Sequence, residues 1–247
     1  MISRREGSQQ RPPRRERHPS PNSAAVDLAT DRARALALVP VSRETVHRLD
    51  RFVALLLRWQ QRINLIAPST ERMLWTRHVA DSLQLVALAP NARVWADLGS
   101  GAGFPGLVIA CALADVAAVR IHLVETNLKK IAFLREAVRM IGVPATVHAT
   151  KIEGFAAHPP EPIEVVTARA LAPLPKLLCL ASPLLKNGAI GLFPKGQYVA
   201  LELTKASKYW KIQGSLTESR TDPKAQIVVV RELEPKKFEP RGTDDSS

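Results

Sequence analysis

Residues 94–106 read Val94-Trp95-Ala96-Asp97-Leu98-Gly99-Ser100-Gly101-Ala102-Gly103-Phe104-Pro105-Gly106. The apolar run Val94 to Ala96 predicts a buried strand ending in Asp97. Gly99, Gly101 and Gly103 then stand at alternate positions. Pro105 suits the first turn of a helix, where its missing N–H removes no helical bond, and Leu107 to Leu113 continue that helix. Strand, glycine loop and helix N-terminus together predict a nucleotide-binding corner. Glycines let the backbone turn sharply and approach a ligand, and helix N–H groups point at it.

The residues around the glycines narrow the ligand class. No Gly-Lys-Ser/Thr follows, which excludes a P-loop. Gly101, Gly103 and Gly106 satisfy the dinucleotide spacing G-x-G-x-x-G, so a nicotinamide or flavin oxidoreductase stays open. Asp97 shifts the balance, because Asp-x-Gly-x-Gly-x-Gly is the signature of S-adenosylmethionine (SAM) methyltransferases. No Tyr-x-x-x-Lys pair supports short-chain dehydrogenase chemistry: Tyr198 is followed at that spacing by Glu202, and Tyr209 by Gln213. Arg120 to Glu125 predicts the next strand. Its closing acid lies about 20 residues past the glycines, where a carboxylate can accept from both ribose hydroxyls.

The chain has 247 residues, 46% of them apolar, enough for one sizeable domain with extensions. Its formal charge of +12 favours polyanions, nucleic acid first. A non-catalytic RNA-binding protein on the same fold is therefore the second alternative. Cys111 and Cys179, both in apolar helical contexts, are expected to be reduced core residues, which suits the cytoplasm. No Cys/His cluster has zinc spacing, so no metal is expected. No apolar run is long enough to span a membrane, and the N-terminus lacks a signal-peptide core. A monomer is expected.

Taken in order, residues 1–40 predict a disordered basic tail, with Arg4, Arg5, Arg11, Arg14, Arg15 and Arg17 at its start and at most a short, weak helix over 24–38. Residues 41–92 predict a helical segment packed on the core. It consists of one helix from Arg43 to Ile63 capped by Ser42 and a second from Ser69 to Leu88. Residues 93–234 carry alternating strands and helices, including a helix over Asn127–Ile141 and another over Pro173–Leu185 broken at Pro183. Residues 235–247 read as a frayed tail. The alternation predicts a doubly wound, mostly parallel α/β sheet of Rossmann-like type with an N-terminal helical extension. A ligand should sit at the carboxyl ends of its strands.

From about Val41 to Leu233 the chain resembles the RsmG (GidB) methyltransferases. The carriers are Trp59, Asn64-Leu65, Arg77-His78 with Asp81-Ser82-Leu83, Asp97 to Gly106, Glu125, Lys129-Lys130, Phe133-Leu134, Arg169-Ala170 and Lys195-Gly196. The resemblance implies methyl transfer from SAM to guanine nitrogen 7 in 16S ribosomal RNA of the small subunit. It places Gly99, Phe104, Ile152, Glu153 and Arg169 on the donor, beside Asp97, Gly101, Gly103 and Glu125 from the motif. Arg169 is the catalytic candidate, facing the methyl-transfer position. Asn64, Arg77, His78, Lys129, Lys130 and Lys195 are the candidates for RNA contact. His78 and Asp81, three apart on a helix, are expected on one face, either as a bonded pair or against substrate.

The nucleophile is also constrained. The Asn/Asp-Pro-Pro-Tyr/Phe segment of exocyclic-amine enzymes is absent after the fourth predicted strand, Ile163 to Ala168, where the chain reads Thr167-Ala168-Arg169-Ala170-Leu171-Ala172-Pro173. No Pro-Cys dipeptide occurs. Guanine nitrogen 7 has a free lone pair and no proton to remove, so no general base is expected. The rate must come from alignment.

Overall fold

The computed structural model describes residues 21–236. Seven strands form one sheet in the order β3-β2-β1-β4-β5-β7-β6. Strands β1 (Val94–Leu98), β2 (Arg120–Glu125), β3 (Ala145–Ala149), β4 (Val165–Thr167) and β5 (Ile190–Lys195) run parallel. The closing pair β6 (Trp210–Glu218) and β7 (Gln226–Pro235) is antiparallel. The chain leaves β1 toward β2 on one side and returns to β4 on the other. Ligands bind at such a reversal of strand order, outside the carboxyl ends.

Alternation along β1 assigns its two faces. Trp95 points into a core shared with the helices α2 (Arg43–Gln60), α4 (Gly106–Leu113) and α5 (Leu128–Ile141). Val94, Ala96 and Leu98 point the other way, into a core shared with α6 (Ile152–Ala157), α7 (Leu174–Lys186) and α8 (Val199–Ala206). All five residues of β1 are buried, as a central parallel strand requires.

Local chemistry sets the helix ends. Ser42 accepts from the Thr45 N–H at 3.1 Å and starts α2. The Asn127 side chain accepts from the Lys129 and Lys130 N–H groups and starts α5, which closes on Gly142 in the left-handed conformation. Pro183 does not break α7. A proline there removes the donor for the Cys179 carbonyl, and the Ser182 hydroxyl takes that carbonyl instead, at 2.9 Å.

Three expectations are corrected. The second helix is not continuous: 68–73 is a 3-10 turn, 75–80 a π-helical turn, α3 spans Asp81–Leu83, and 86–88 is again 3-10. The cause lies in the preceding segment, where at most a short, weak helix over 24–38 was expected. Helix α1 (Pro21–Leu38) brings the buried Asp31 carboxylate to the N–H groups of Trp75 and Thr76 and to the Thr76 hydroxyl, so the turn is capped from outside. Residues 1–20 and 237–247, which hold the rest of the two expected tails, lie outside the described residues. Cys179 is exposed on α7, whereas Cys111 is buried, with burial pushing its thiol up to about 12. Helix α8 had no sequence counterpart, being short and only partly apolar. Among the described residues no helix is long and apolar enough to cross a membrane.

Candidate active site

A cleft of about 840 Å³ opens at the carboxyl ends of β1, β2 and β4. Its floor is the glycine loop, with Gly99 and Gly101 at positive φ. Gly99 has a second constraint. A Cβ there would meet Leu171 Cδ1 at 2.7 Å, so the loop after β4 packs closely on the glycine loop at a position that carries no side chain.

The acidic motif residues divide the work. Asp97 does not line the cleft. It is buried beneath the loop, its Oδ2 accepting from the Gly106 N–H at 3.1 Å and its Oδ1 from the Thr167 hydroxyl at 3.0 Å. Strand register makes the second bond possible, since Asp97 lies opposite Thr167 across β1 and β4. Burial pushes the Asp97 carboxyl up to about 6, and the two bonds oppose that rise. Gly103 serves packing in the same way: its missing Cβ leaves room for Leu107.

Glu125 does line the cleft. Its Oε2 accepts from the Gly101 N–H at 2.9 Å, and its Oε1 from the N–H groups of Thr126 and Asn127, both at 2.8 Å. One carboxylate thus ties the glycine loop to the end of β2, with one lone pair, on Oε2, left for a ligand diol. Ile152 and Glu153, at the start of α6, and Val124 form the adjoining wall. Size and donor set fit a nucleoside-type ligand, with an acceptor for hydroxyls beside an apolar slot.

At the other end Arg169 fills the gap between β4 and the segment 75–83. Its Nη1 donates to the Arg77 carbonyl at 3.0 Å, and its Nη2 donates to His78 Nδ1 at 2.7 Å. Asp81 Oδ2 faces it at 3.7 Å. The guanidinium lies 5.1 Å over the Phe104 ring, which stacks with His78 at 5.0 Å. Burial pulls the Arg169 pKa below its ordinary value, with Asp81 opposing; the group stays charged. Arg169 Nε is buried with no partner. The guanidinium thus keeps one N–H that no neighbouring protein group accepts. Ala170, next in the chain, is held at φ 52°, a conformation that alanine rarely adopts. His78 and Asp81 are not bonded to each other; they meet through Arg169.

Both His78 and Arg169 also line a second cavity beyond the donor cleft, and Arg77 and Lys195 join them there. Lys195 is committed to the fold, since its Nζ contacts the Ala172 carbonyl and Glu202 Oε2 of α8, each at 2.8 Å. Asn64, Lys129 and Lys130 line a small polar basin with Arg62 beside the cleft, and Lys130 lines both. Sequence reasoning missed Thr70, which holds His78, and Leu171, which packs on Gly99. No local pattern marks either.

Residues 45–228 match the family described as GidB, rRNA small subunit methyltransferase G. The chain belongs to that family. The ribosomal RNA small subunit methyltransferase G of Bradyrhizobium sp. (strain ORS 278) is 55% identical over 213 residues, 85% of this chain and 96% of the relative. That of Nitrobacter hamburgensis is 58% identical over 206 residues, 83% of this chain and 79% of the relative. The structure of an O-methyltransferase from Bacillus cereus in complex with SAH superimposes with a TM-score of 0.54 at 13% identity, covering 85% of this chain and all of the other. At that identity the likeness speaks for the fold, a SAM-dependent methyltransferase sheet. In this family setting, every donor-side candidate except Asp97 and Gly103 lines the cleft, and those two hold its floor in shape.

Proposed function

We propose that the chain methylates guanine nitrogen 7 in the 16S ribosomal RNA of the small subunit, with SAM as donor. Family membership supports the RNA and the reaction type. The resemblance to the family supports the choice of atom, and the observation that favours it in the site is the state of His78. It is the histidine at the junction of the two cavities, burial keeps it neutral with a pKa of about 3, and Arg169 occupies its Nδ1. It is therefore not available to take a proton, and nitrogen 7 of guanine offers none.

SAM supplies an electrophilic methyl group. The protein's part is alignment and charge. Glu125 accepts from the ribose hydroxyls, Gly99 and Gly101 let the backbone approach, and Ile152 and Val124 flank the base. Phe104 and Arg169 form the partition between donor and purine. Asp81 and the Arg77 carbonyl fix the guanidinium before substrate arrives, so little reorganisation is left for the chemical step. Arg62, Lys129 and Lys130 follow RNA phosphates. The enzyme works in the cytoplasm as a single chain and needs no metal.

The test is incubation of small subunits with labelled donor, followed by nucleoside analysis. The expected product is 7-methylguanosine, and a target carrying 7-deazaguanosine should bind but accept no label. A product on an exocyclic amine or a ribose hydroxyl would overturn the choice of atom.

A further inference from the structure

The cavity beyond Arg169 and His78, about 680 Å³, is lined by three carboxylates: Asp81, Glu202 and Asp222. Two are committed. Asp81 Oδ1 accepts from Gln84 Nε2 at 2.9 Å and from the Thr221 hydroxyl at 3.0 Å, while its Oδ2 faces Arg169. Glu202 Oε2 accepts from Lys195 Nζ and the Leu174 N–H. Asp222 differs. Its Oδ1 accepts from the Lys224 N–H of its own turn at 2.9 Å, and its Oδ2 lies 3.6 Å from Arg77 Nη1, a loose pair with both side chains partly open to solvent. The cavity thus presents a cation and an acceptor side by side.

The turn that carries Asp222 is fixed. Between β6 and β7, the Arg220 N–H donates to Gln84 Oε1 at 2.9 Å, Gln84 Nε2 donates to the Ser219 hydroxyl at 3.2 Å, and Thr221 donates to Asp81. The same segment that positions Arg169 therefore positions Asp222, which is the pre-arrangement a recognition site needs.

Adenine and guanine both present nitrogen 7 as an acceptor, so an enzyme acting on that atom must tell them apart elsewhere. Guanine's other edge offers the O6 acceptor next to the N1–H and N2-amine donors. We propose that Asp222 and Arg77 read this edge, Asp222 accepting from N1–H and the 2-amine and Arg77 donating to O6, and that Asp222 sets the preference for guanine over adenine. The assignment rests on the guanine nitrogen 7 function proposed above.

The test compares subunits carrying guanosine, inosine or adenosine at the position that the wild-type enzyme methylates. Inosine keeps N1–H, O6 and nitrogen 7 but lacks the 2-amine. The wild type should favour guanosine over inosine by about 10- to 100-fold in kcat/KM, as for a hydrogen bond to a charged group. Asp222→Asn keeps the turn's acceptor for Lys224 and removes the charge. It should bring the guanosine-to-inosine ratio close to one and narrow the gap to adenosine, with affinity for S-adenosylhomocysteine unchanged, since Asp222 does not line the donor cleft. Rates that fall equally on all three bases, at constant ratio, would assign Asp222 a structural role and overturn the proposal. Wild-type enzyme that leaves guanosine unmethylated at nitrogen 7 would overturn the function itself and this assignment with it.

Discussion

Arg169 and His78, 91 positions apart, are joined by a 2.7 Å hydrogen bond from Nη2 to Nδ1. A guanidinium only donates, so Nδ1 must be bare and the ring proton must sit on Nε2. That proton then donates to the Thr70 hydroxyl at 2.9 Å, which donates in turn to the Ala67 carbonyl at 2.8 Å. The chain of donors runs in one direction, from the cation through the imidazole to the backbone. The imidazole acts as an acceptor that holds a charge over Phe104.

Removing that acceptor should damage turnover more than donor binding. His78→Ala leaves Arg169 without one of its two fixing bonds and Phe104 without its stacked neighbour. We expect kcat to fall by about 10- to 100-fold, the worth of a hydrogen bond to a charged group, with the donor-product Kd changed far less. Single-turnover rates and calorimetry separate the two, and a collapse of donor affinity with unaltered kcat would refute the assignment.

His78 also makes a signed prediction about pH. Its folded pKa, about 3, lies below the ordinary histidine value because burial, then Arg169 and Arg77, disfavour the cation. The unfolded chain therefore binds a proton that the folded chain refuses, and stability falls as pH drops from about 6.5 toward 3. His78→Gln keeps an acceptor for Arg169 without this liability. The wild type should be the more stable at pH 8, and the gap should shrink or invert by pH 4.5. Denaturant midpoints across that range decide it; a gap independent of pH would exclude His78 as the source.

Glu125 has two jobs that one substitution can separate. Glu125→Ala frees the Gly101, Thr126 and Asn127 N–H groups and removes the acceptor for a ligand diol. Affinity for S-adenosylhomocysteine should fall by about 1.5–3 kcal/mol. The loss should be smaller for an analogue lacking both ribose hydroxyls, because only the loop contribution is left. Equal losses in calorimetry would confine Glu125 to bracing the loop.

How far the sequence speaks depends on how local the cause is. The strand to Asp97, the cap at Ser42 and the helix ending at Ile141 are set by neighbours within a few positions, and all were legible; that Asn127 caps the last of these rather than opening it was not. The π-helical turn at 75–80 was not, because its cap is Asp31, over forty positions away. The same holds at the site. Gly99 and Glu125 announce themselves by spacing, and Arg169 by family pattern. That Asp97 braces the loop from below, rather than facing the cleft, follows from its register with Thr167, which no motif encodes.

The glycines of the loop should respond differently to the same change. A Cβ on Gly106 would meet Leu123 Cδ2 at 2.4 Å and Asp97 Oδ2 at 2.7 Å, inside a packed core. Gly106→Ala should cost about 1–3 kcal/mol of stability by overpacking and weaken donor binding through Asp97. At Gly101 the nearest atoms are 3.7 Å and 4.0 Å away, so only its positive φ opposes alanine. Gly101→Ala should cost about 1 kcal/mol. Thermal melts of the two variants give the ranking, and equal losses would contradict it.

The last prediction separates the basic N-terminus from the helix that follows. Residues 1–20 contain six arginines, whereas α1 carries Asp31, which caps the turn at Trp75. Deleting residues 1–20 should leave the melting temperature and the saturated turnover unchanged. It should weaken RNA association and reduce its salt dependence, because each arginine–phosphate contact releases a counterion. Asp31→Ala should do the reverse: stability drops by about 1–3 kcal/mol as buried N–H groups lose their acceptor, turnover falls because Arg77, His78 and Asp81 sit on the segment it caps, and the salt slope stays where it was. The two variants, measured for melting, single-turnover rate and RNA affinity between low and physiological salt, should therefore separate cleanly. A deletion that abolishes turnover at saturating RNA would place residues 1–20 in the active site, and a salt slope unmoved by the deletion would remove them from RNA binding.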